Sequence, residues 1–452
     1  MVTLAICTAL GAWWSAGLPL AIGLAAVLVA LVFRRPPLLC LGALFLASAL
    51  GARSWAGLVP QSVAPVAGEV TLLTDPEPLL GGGVRAEARL GRERVQLVAR
   101  SSSGSVLRNG LAGERSYIRG TGQPLEGRTA PHLRRRHVSR SVMVAEAQAP
   151  VPGSSATRVA NELRRTLVRG AQSLDVDRRA LFTGLVLGDD RAQTNADVDA
   201  FRRSGLSHLL AVSGSNIAFV LAVAAPVLTR LGLRPRLVGG VAVVVGFGLL
   251  TRWEPSVTRA SAMAIVAMVG ATVGRPSSSV RGLCLAVTAL LLIDPLLVGS
   301  VGFLLSTGAC AGIALFSERL QRWLPSPLAV TVAAQVGVTP VLLPVFGGVP
   351  IASLPANLLA GPAAGPVMIW GLVAGVPAGL VGEPWATVLH LPTRMLVGWI
   401  AGVARWSAAL PLGEVRARHA LALAALAGTG WLFRVRRQRR MPAAQMPGRV
   451  TG

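Results

Sequence analysis

Apolar runs long enough to span a bilayer recur along the chain, and they limit its fold more than any motif does. A spanning helix needs about 20 apolar residues. Residues 4–33, residues 38–58 and most of the stretch from Gly205 to Phe433 have that character. With 52% hydrophobic residues and a mean hydropathy of +0.58, the reading is a polytopic α-helical membrane protein and not a large soluble core. About 10–12 spans are expected. Residues 4–33 form one long span or two short ones broken near Gly17-Leu18-Pro19. The run is too long for a signal-peptide core and lacks a charged leader, so no cleavage is expected.

Arginine sets the expected orientation. Arg34 and Arg35, between the first two runs, belong on the cytoplasmic side by the positive-inside rule, which places residues 61–150 outside. The same rule puts Arg230, Arg234, Arg236, Arg275, Arg281, Arg319 and Arg322 inside, with Glu318 and Glu383. Arg252, Glu254, Asp294, Gly347–Pro350 and Glu414 fall outside, and the tail "RVRRQRR" falls inside. Five segments follow. Residues 1–60 are N-terminal spans, 61–150 a β-rich domain, 151–205 amphipathic interfacial helices and a loop, 206–433 the main membrane domain, and 434–452 a basic cytoplasmic tail.

The β-rich segment carries short strand-like pieces, "GEVTLLT", "GGGVRAEARLG" and "RVQLVARS", between Gly and Pro turns. Such spacing predicts a small barrel or sandwich. Within 156–187, Val159, Leu163 and Leu167 recur at helical spacing, with Arg158, Arg164, Arg165 and Arg169 expected elsewhere on the surface.

The formal charge is +24, and every basic residue apart from histidine is arginine. Absence of lysine excludes a phosphate-loop lysine, a Schiff base and a Ser–Lys dyad, so any energy source must come from a partner. Cys7, Cys40, Cys284 and Cys310 lie in apolar runs without a CxxC pair and read as small buried hydrophobes. The arginines of 61–150, on the side where no such excess is required, point to an anionic substrate.

"FRRSGLSHLLAVSGSNIAFVLAV" crowds polar groups at the start of a span. On a regular helix His208, Ser215, Asn216 and Gly205 share one arc while Ser213 points away from His208, unless Gly214 breaks the turn. The arc serves either as polar contact between helices or as a cavity lining. Upstream, Asp189, Asp190, Asp197 and Asp199 cluster in "GLVLGDDRAQTNADVDAFRRSG". Such carboxylates can hold Mg²⁺, which makes Asp189 and Asp190 weak metal candidates, but they more often cap turns and pair with arginines such as Arg191, Arg202 and Arg203. No other metal and no cofactor is expected. Arg259 lies one turn inside a span, where snorkelling is the default. Gln335, Asn357 and the nearby prolines mark helices broken at membrane depth, which need a protein or water-filled lining.

Four blocks resemble, in order, the ComEC family of DNA-uptake channels: "GLVLGDDRAQTNADVDAFRRSGLSHLLAVSGSNIAFV", "PSVTRASAMA", "DPLLVGSVGFLLSTGACAGI" and "AAQVGVTPVLLPVFGGVPIASLPANLLAGP". The resemblance implies that 61–150 is an extracytoplasmic OB-like domain. It also implies that the spans form a plasma-membrane channel passing single-stranded DNA into the cytoplasm during transformation. An outer DNA receptor, a cytoplasmic ATPase or helicase and a separate nuclease are the implied partners, beside the membrane lipids. His208, Ser213, Ser215, Asn216, Arg259, Gln335 and Asn357 are then the expected channel lining, and Arg134, Arg135, Arg136, Arg202 and Arg203 the expected phosphate contacts.

Two departures from the family matter. The chain, ending at Gly452, is expected to lack the metallo-β-lactamase-like domain of many members. His132, His137, His208, His390 and His419 are scattered and form no HxHxDH cluster, so no hydrolase is expected and the protein is read as a non-enzyme. Residues 61–150 also lack the cysteine pair of some relatives, and Tyr117 is their single aromatic residue. DNA binding would therefore rest on arginine–phosphate contacts, dependent on salt and blind to sequence. The rivals are an intramembrane serine hydrolase using Ser213 and His208, and a secondary transporter of a small anion, which would need an internal repeat.

Overall fold

The computed structural model describes residues 1–416 and 418, apart from 59–61, 80, 211, 213 and 275–277. Arg275, Ser213, His419, the apolar stretch to Phe433 and the basic tail lie outside the described residues.

The first apolar run is broken in two, α1 (Val2–Trp14) and α2 (Leu20–Val32). Ser15 ends α1 in the left-handed conformation, and Pro19 stands as the N-cap of α2. Both helices lie along α3 (Pro36–Ala56), where a Cβ on Gly23 would stand 2.7 Å from the Leu46 backbone. Small residues thus let the backbones close in where lipid gives no hydrophobic drive between helices.

The β-rich unit follows. Its elements are β1 (Ala64–Leu72), β2 (Glu77–Pro78), β3 (Val84–Leu90), β4 (Glu93–Ala99), α4 (Ser101–Arg108), β5 (Arg115–Pro124), α5 (Ala130–Arg135) and β6 (Val138–Ala147). The strands run β1-β5-β6-β4-β3, and β1 pairs back to β3, which closes the sheet into a barrel. Within it β4 and β6 pair in parallel; α4 bridges β4 to β5 and caps the barrel with Leu107. This closure, order and helix position fit an OB-like barrel. Val70, Leu72, Val95, Leu97, Ile118 and Val142 alternate into a sealed interior. At Gly120 the β5–β6 register shifts, and a side chain there would run into the Met143 carbonyl.

Next come α6 (Ser155–Gly170), α7 (Val176–Leu187) and α8 (Asn195–Arg203). Ser154 caps α6 by accepting the Thr157 N–H at 3.3 Å. The buried face of α6 differs from the expected one. Leu167 is sealed, but Val159 is 70% exposed, and Arg164, expected on the surface, is 3% exposed. The stretch from Phe201 is not one helix either. α8 stops at Arg203, Gly205 takes φ +73°, a 3₁₀ turn covers Ser207–Leu209, and the next helix, α9 (Ser215–Leu228), begins past Gly214. The turn is needed because Gly205 meets Ser353, where a Cβ would collide with that side chain.

The bundle continues through α10 (Leu233–Leu250), α11 (Pro255–Thr272), α12 (Ser279–Ile293), α13 (Val301–Leu320) and α14 (Ser326–Phe346). After β7 (Gly348–Pro350) come α15 (Ser353–Val381), α16 (Trp385–Leu389), α17 (Leu391–Ala409) and β8 (Glu414–Arg416), which pairs with β7. Among the described residues five helices, α3, α10, α13, α14 and α15, are long and apolar enough to cross a membrane. α13 and α14 cross backbone to backbone at Gly308, Gly312 and Gly337. α15 packs against α6, α7, α9 and α17 around Phe182, Val367 and Met368.

Candidate functional site

The barrel sits on the bundle through a buried ionic cluster. Asp75 lies in the loop after β1, Arg164 on α6, Arg252 just past α10, and Asp189 and Arg191 between α7 and α8. Arg164 Nη2 donates to Asp75 Oδ2 at 2.9 Å, and its Nη1 donates to the carbonyls of Leu187 and Leu250 at 2.7 and 2.8 Å. Asp75 Oδ1 accepts the Ala112 N–H at 2.8 Å and stands 2.9 Å from Arg252 Nη2. Arg191 grips Asp189 with Nε and Nη2, both at 2.7 Å. Arg252 and Trp253 hold φ of +60° and +54°, strained for residues with side chains; this turn brings Arg252 back to Asp75 and lays the Trp253 ring over Gly248.

Burial alone would raise the Asp75 and Asp189 carboxyls, but the surrounding arginines outweigh it and hold both below the usual aspartate range. Asp190 goes the other way: burial raises it, and Glu77 and Asp189 add to the rise. Glu254 is raised chiefly by burial. Both oxygens of Asp189 are thus engaged by guanidinium, and no group of three metal-ligating side chains occurs among the described residues.

A second seam joins the β5–β6 loop to the turn after α12. His137 Nε2 lies 2.9 Å from Asp294 Oδ1, and Arg135 Nη1 donates to the Gly299 carbonyl at 2.8 Å. Arg136 pairs with Glu87 at 2.8 Å, and burial pushes the Glu87 carboxyl up despite Arg136 and Arg94. Of the expected phosphate triplet, Arg135 and Arg136 therefore carry structural contacts, and Arg134 is half-buried. Arg202 is exposed, and Arg203 pairs with Asp199 at 3.1 Å on the surface of α8.

The polar stretch spreads out. His208 is exposed on the 3₁₀ turn and Ser215 is exposed at the start of α9. Asn216 is buried and donates to the Leu185 carbonyl at 3.2 Å. With Ser213 outside the described residues, the Ser213–His208 pairing is not described. Asn357 donates to the Ser353 carbonyl at 2.8 Å, one turn back on α15.

Deeper in the bundle Arg259 is 6% exposed, its guanidinium 5.5 Å from the Phe303 ring centre. It does not snorkel. Among the described residues its Nε and Nη1 have no hydrogen-bond partner, and Thr307 Oγ1, beside it in a small cavity, has none either. Gln335 Nε2 on α14 and Thr288 Oγ1 on α12 are also buried without partners there. A guanidinium buried without an acidic partner is costly to keep.

Sequence reasoning missed Asp75, Arg164, Arg252 and Thr307 as members of these sites. Arg164 sits one position after the apolar Leu163, on the edge of its face; Asp75 carried no local signal, since its partners lie far along the chain.

Fold and site together define a polytopic helical membrane protein with a small β-barrel fastened onto its bundle by arginine–carboxylate contacts. A model of the competence protein family matches residues 185–439, more than half of the chain. The chain belongs to this family. It is 28% identical over 245 residues to ComE operon protein 3 of Bacillus subtilis (strain 168), covering 53% of this chain and 31% of that protein. It is also 28% identical over 207 residues to the uncharacterized protein YcaI of Escherichia coli (strain K12), covering 40% of this chain and 27% of that one. The matched stretch thus spans less than a third of either relative. No solved structure matches.

Proposed function

We propose that this protein is a plasma-membrane channel that passes single-stranded DNA into the cytoplasm during natural transformation. The carrying observation is Arg259, a charged donor inside the bundle of a competence-family protein; its Nε and Nη1 have no hydrogen-bond partner among the described residues. A charged strand cannot cross hydrocarbon, and polar walls with modest positive charge let it bind weakly and move on. Arg259, Thr307 and Gln335 are the lining this reading favours, on α11, α13 and α14. His208, Ser213, Ser215 and Asn216 belong at its mouth, and Asn357 beside it.

The proposed orientation places the barrel outside as an OB-like receptor for the strand. Contacts of Asp75 with Arg252 and of His137 with Asp294 support it, because the charge rule assigns all four residues to one side. Pairing of β7 with β8 likewise keeps Gly348–Pro350 and Glu414 together. On this reading an outer receptor, a cytoplasmic ATPase and a separate nuclease complete the pathway, and the chain performs no hydrolysis.

The test is entry of a labelled single-stranded oligonucleotide into liposomes holding the purified protein, under an imposed membrane potential. The expected result is uptake that falls at least tenfold in Arg259→Gln. Uptake equal to that of empty liposomes would overturn the proposal.

A further inference from the structure

A cavity of about 360 Å³ opens between the α4–β5 loop, α6 and the loop after α7. Pockets of roughly 300–1,000 Å³ hold ligands of nucleotide or drug size. Arg164, Arg165, Arg169 and Arg191 line it, against one lining carboxylate, Asp189. None of its residues belongs to the expected channel or phosphate contacts.

Donor supply decides what such a cavity can hold. An arginine offers five N–H groups. Arg164 spends its donors on Asp75, Leu187 and Leu250 and contributes charge alone. Arg165 and Arg169 are different. Arg165 gives one close bond, to Glu114 at 2.6 Å; Arg169 gives one long one, to the Gly379 carbonyl at 3.4 Å. Glu162 stands 4.0 Å from each, too far for a hydrogen bond. Both side chains are about half exposed, so most of their N–H groups are available from the open side. Two guanidinium groups one helical turn apart, with spare donors, match the oxygens of a phosphate, while Arg164 and Arg191 behind them are held by Asp75 and Asp189. Leu111 and Val168 add apolar lining, and Asn109 and Gln172 add side-chain amides.

We propose that this cavity binds a phosphate ester of nucleotide size, held by Arg165 and Arg169. The site does not depend on the channel reading, since binding here requires no passage through the bundle.

The experiment measures binding to the full chain in neutral detergent by calorimetry. The probes are 2′-deoxyadenosine 5′-monophosphate, deoxyadenosine, and a short-chain phosphatidylglycerol. A phosphate-dependent site binds the monophosphate and not the nucleoside. Arg169→Gln, which leaves the Arg165–Glu114 contact in place, should weaken that binding at least tenfold while the ligand-free melting midpoint stays within a few degrees. Binding of phosphatidylglycerol alone, lost in the same variant, would keep the site and assign it to a lipid headgroup. Failure of both phosphate probes, or equal binding by the variant, would overturn the proposal.

Discussion

Asp75 Oδ2 accepts a hydrogen bond from Arg164 Nη2 at 2.9 Å, joining the first loop of the barrel to the helix that follows it. Arg252 completes the group from the end of α10, so one carboxylate holds two cations from separate elements. Removing the carboxylate leaves Arg252 buried without its acid and Arg164 with Asp189 alone, at 3.5 Å. Asp75→Ala should cost about 3–5 kcal/mol, the usual loss on breaking a buried pair. A lowered melting midpoint of the purified protein checks this, and an unchanged midpoint would show the cluster to be hydrated.

Acid should loosen the same cluster. Asp75 is held below the ordinary carboxylate value of 3.8, so its stabilisation is present above that pH and is lost as pH falls through the lower folded value. Melting midpoints measured from pH 5 downward should drop more steeply in the parent than in Asp75→Asn.

Asp190 has the opposite sign. Its folded value is raised above 3.8, so its ionisation at neutral pH opposes folding, and its favourable contribution survives only in acid. Asp190→Asn should raise the melting midpoint at pH 7, and the gain should vanish near pH 3.

Arg259→Met should separate stability from function. Replacing a buried charge that has no acidic partner among the described residues with an apolar side chain of similar length should raise the melting midpoint. Oligonucleotide uptake should fall in the same variant. A variant that is both less stable and fully active would show that Arg259 serves packing alone.

Barrel arginines should divide by the work they already do. Arg89 and Arg92 are exposed with no acidic partner among the described residues, whereas Arg136 is tied to Glu87. In single-stranded DNA binding across a salt series, neutralising Arg89 and Arg92 should reduce the slope by about 0.7 for each phosphate left without its arginine. Arg136→Gln should lower the melting midpoint instead.

Periodicity made the long helices legible because it is written in neighbouring residues. Residues 38–58 and α10 through α15 follow from apolar length, and the strand-like pieces of 61–150 follow from alternation and turns. The break after Arg203 was legible in part: Gly205 reads as a residue that permits tight packing or a break, but the neighbour it packs against, Ser353, lies outside any sequence window. Arg164 read as a surface residue for the same reason. The carboxylates that let it be buried come from Asp75 and Asp189, which reach it only in the folded chain. Arg259 was visible as a charge inside a span; its failure to reach the interface depends on Phe303 of α13.

The partners of Asp75 also fix an order of assembly. Chains fold as they emerge, N-terminal units first. The barrel cannot close before β6 is made, because β4 pairs with it in parallel and no hairpin can substitute. Arg164 emerges only after that closure, and Arg252 only after α9 and α10. Until then the Asp75 carboxylate lacks its two arginines. Its burial therefore comes late in biogenesis, and a chain whose α10 is misplaced would carry a finished barrel with an open latch, a difference that a protease could read.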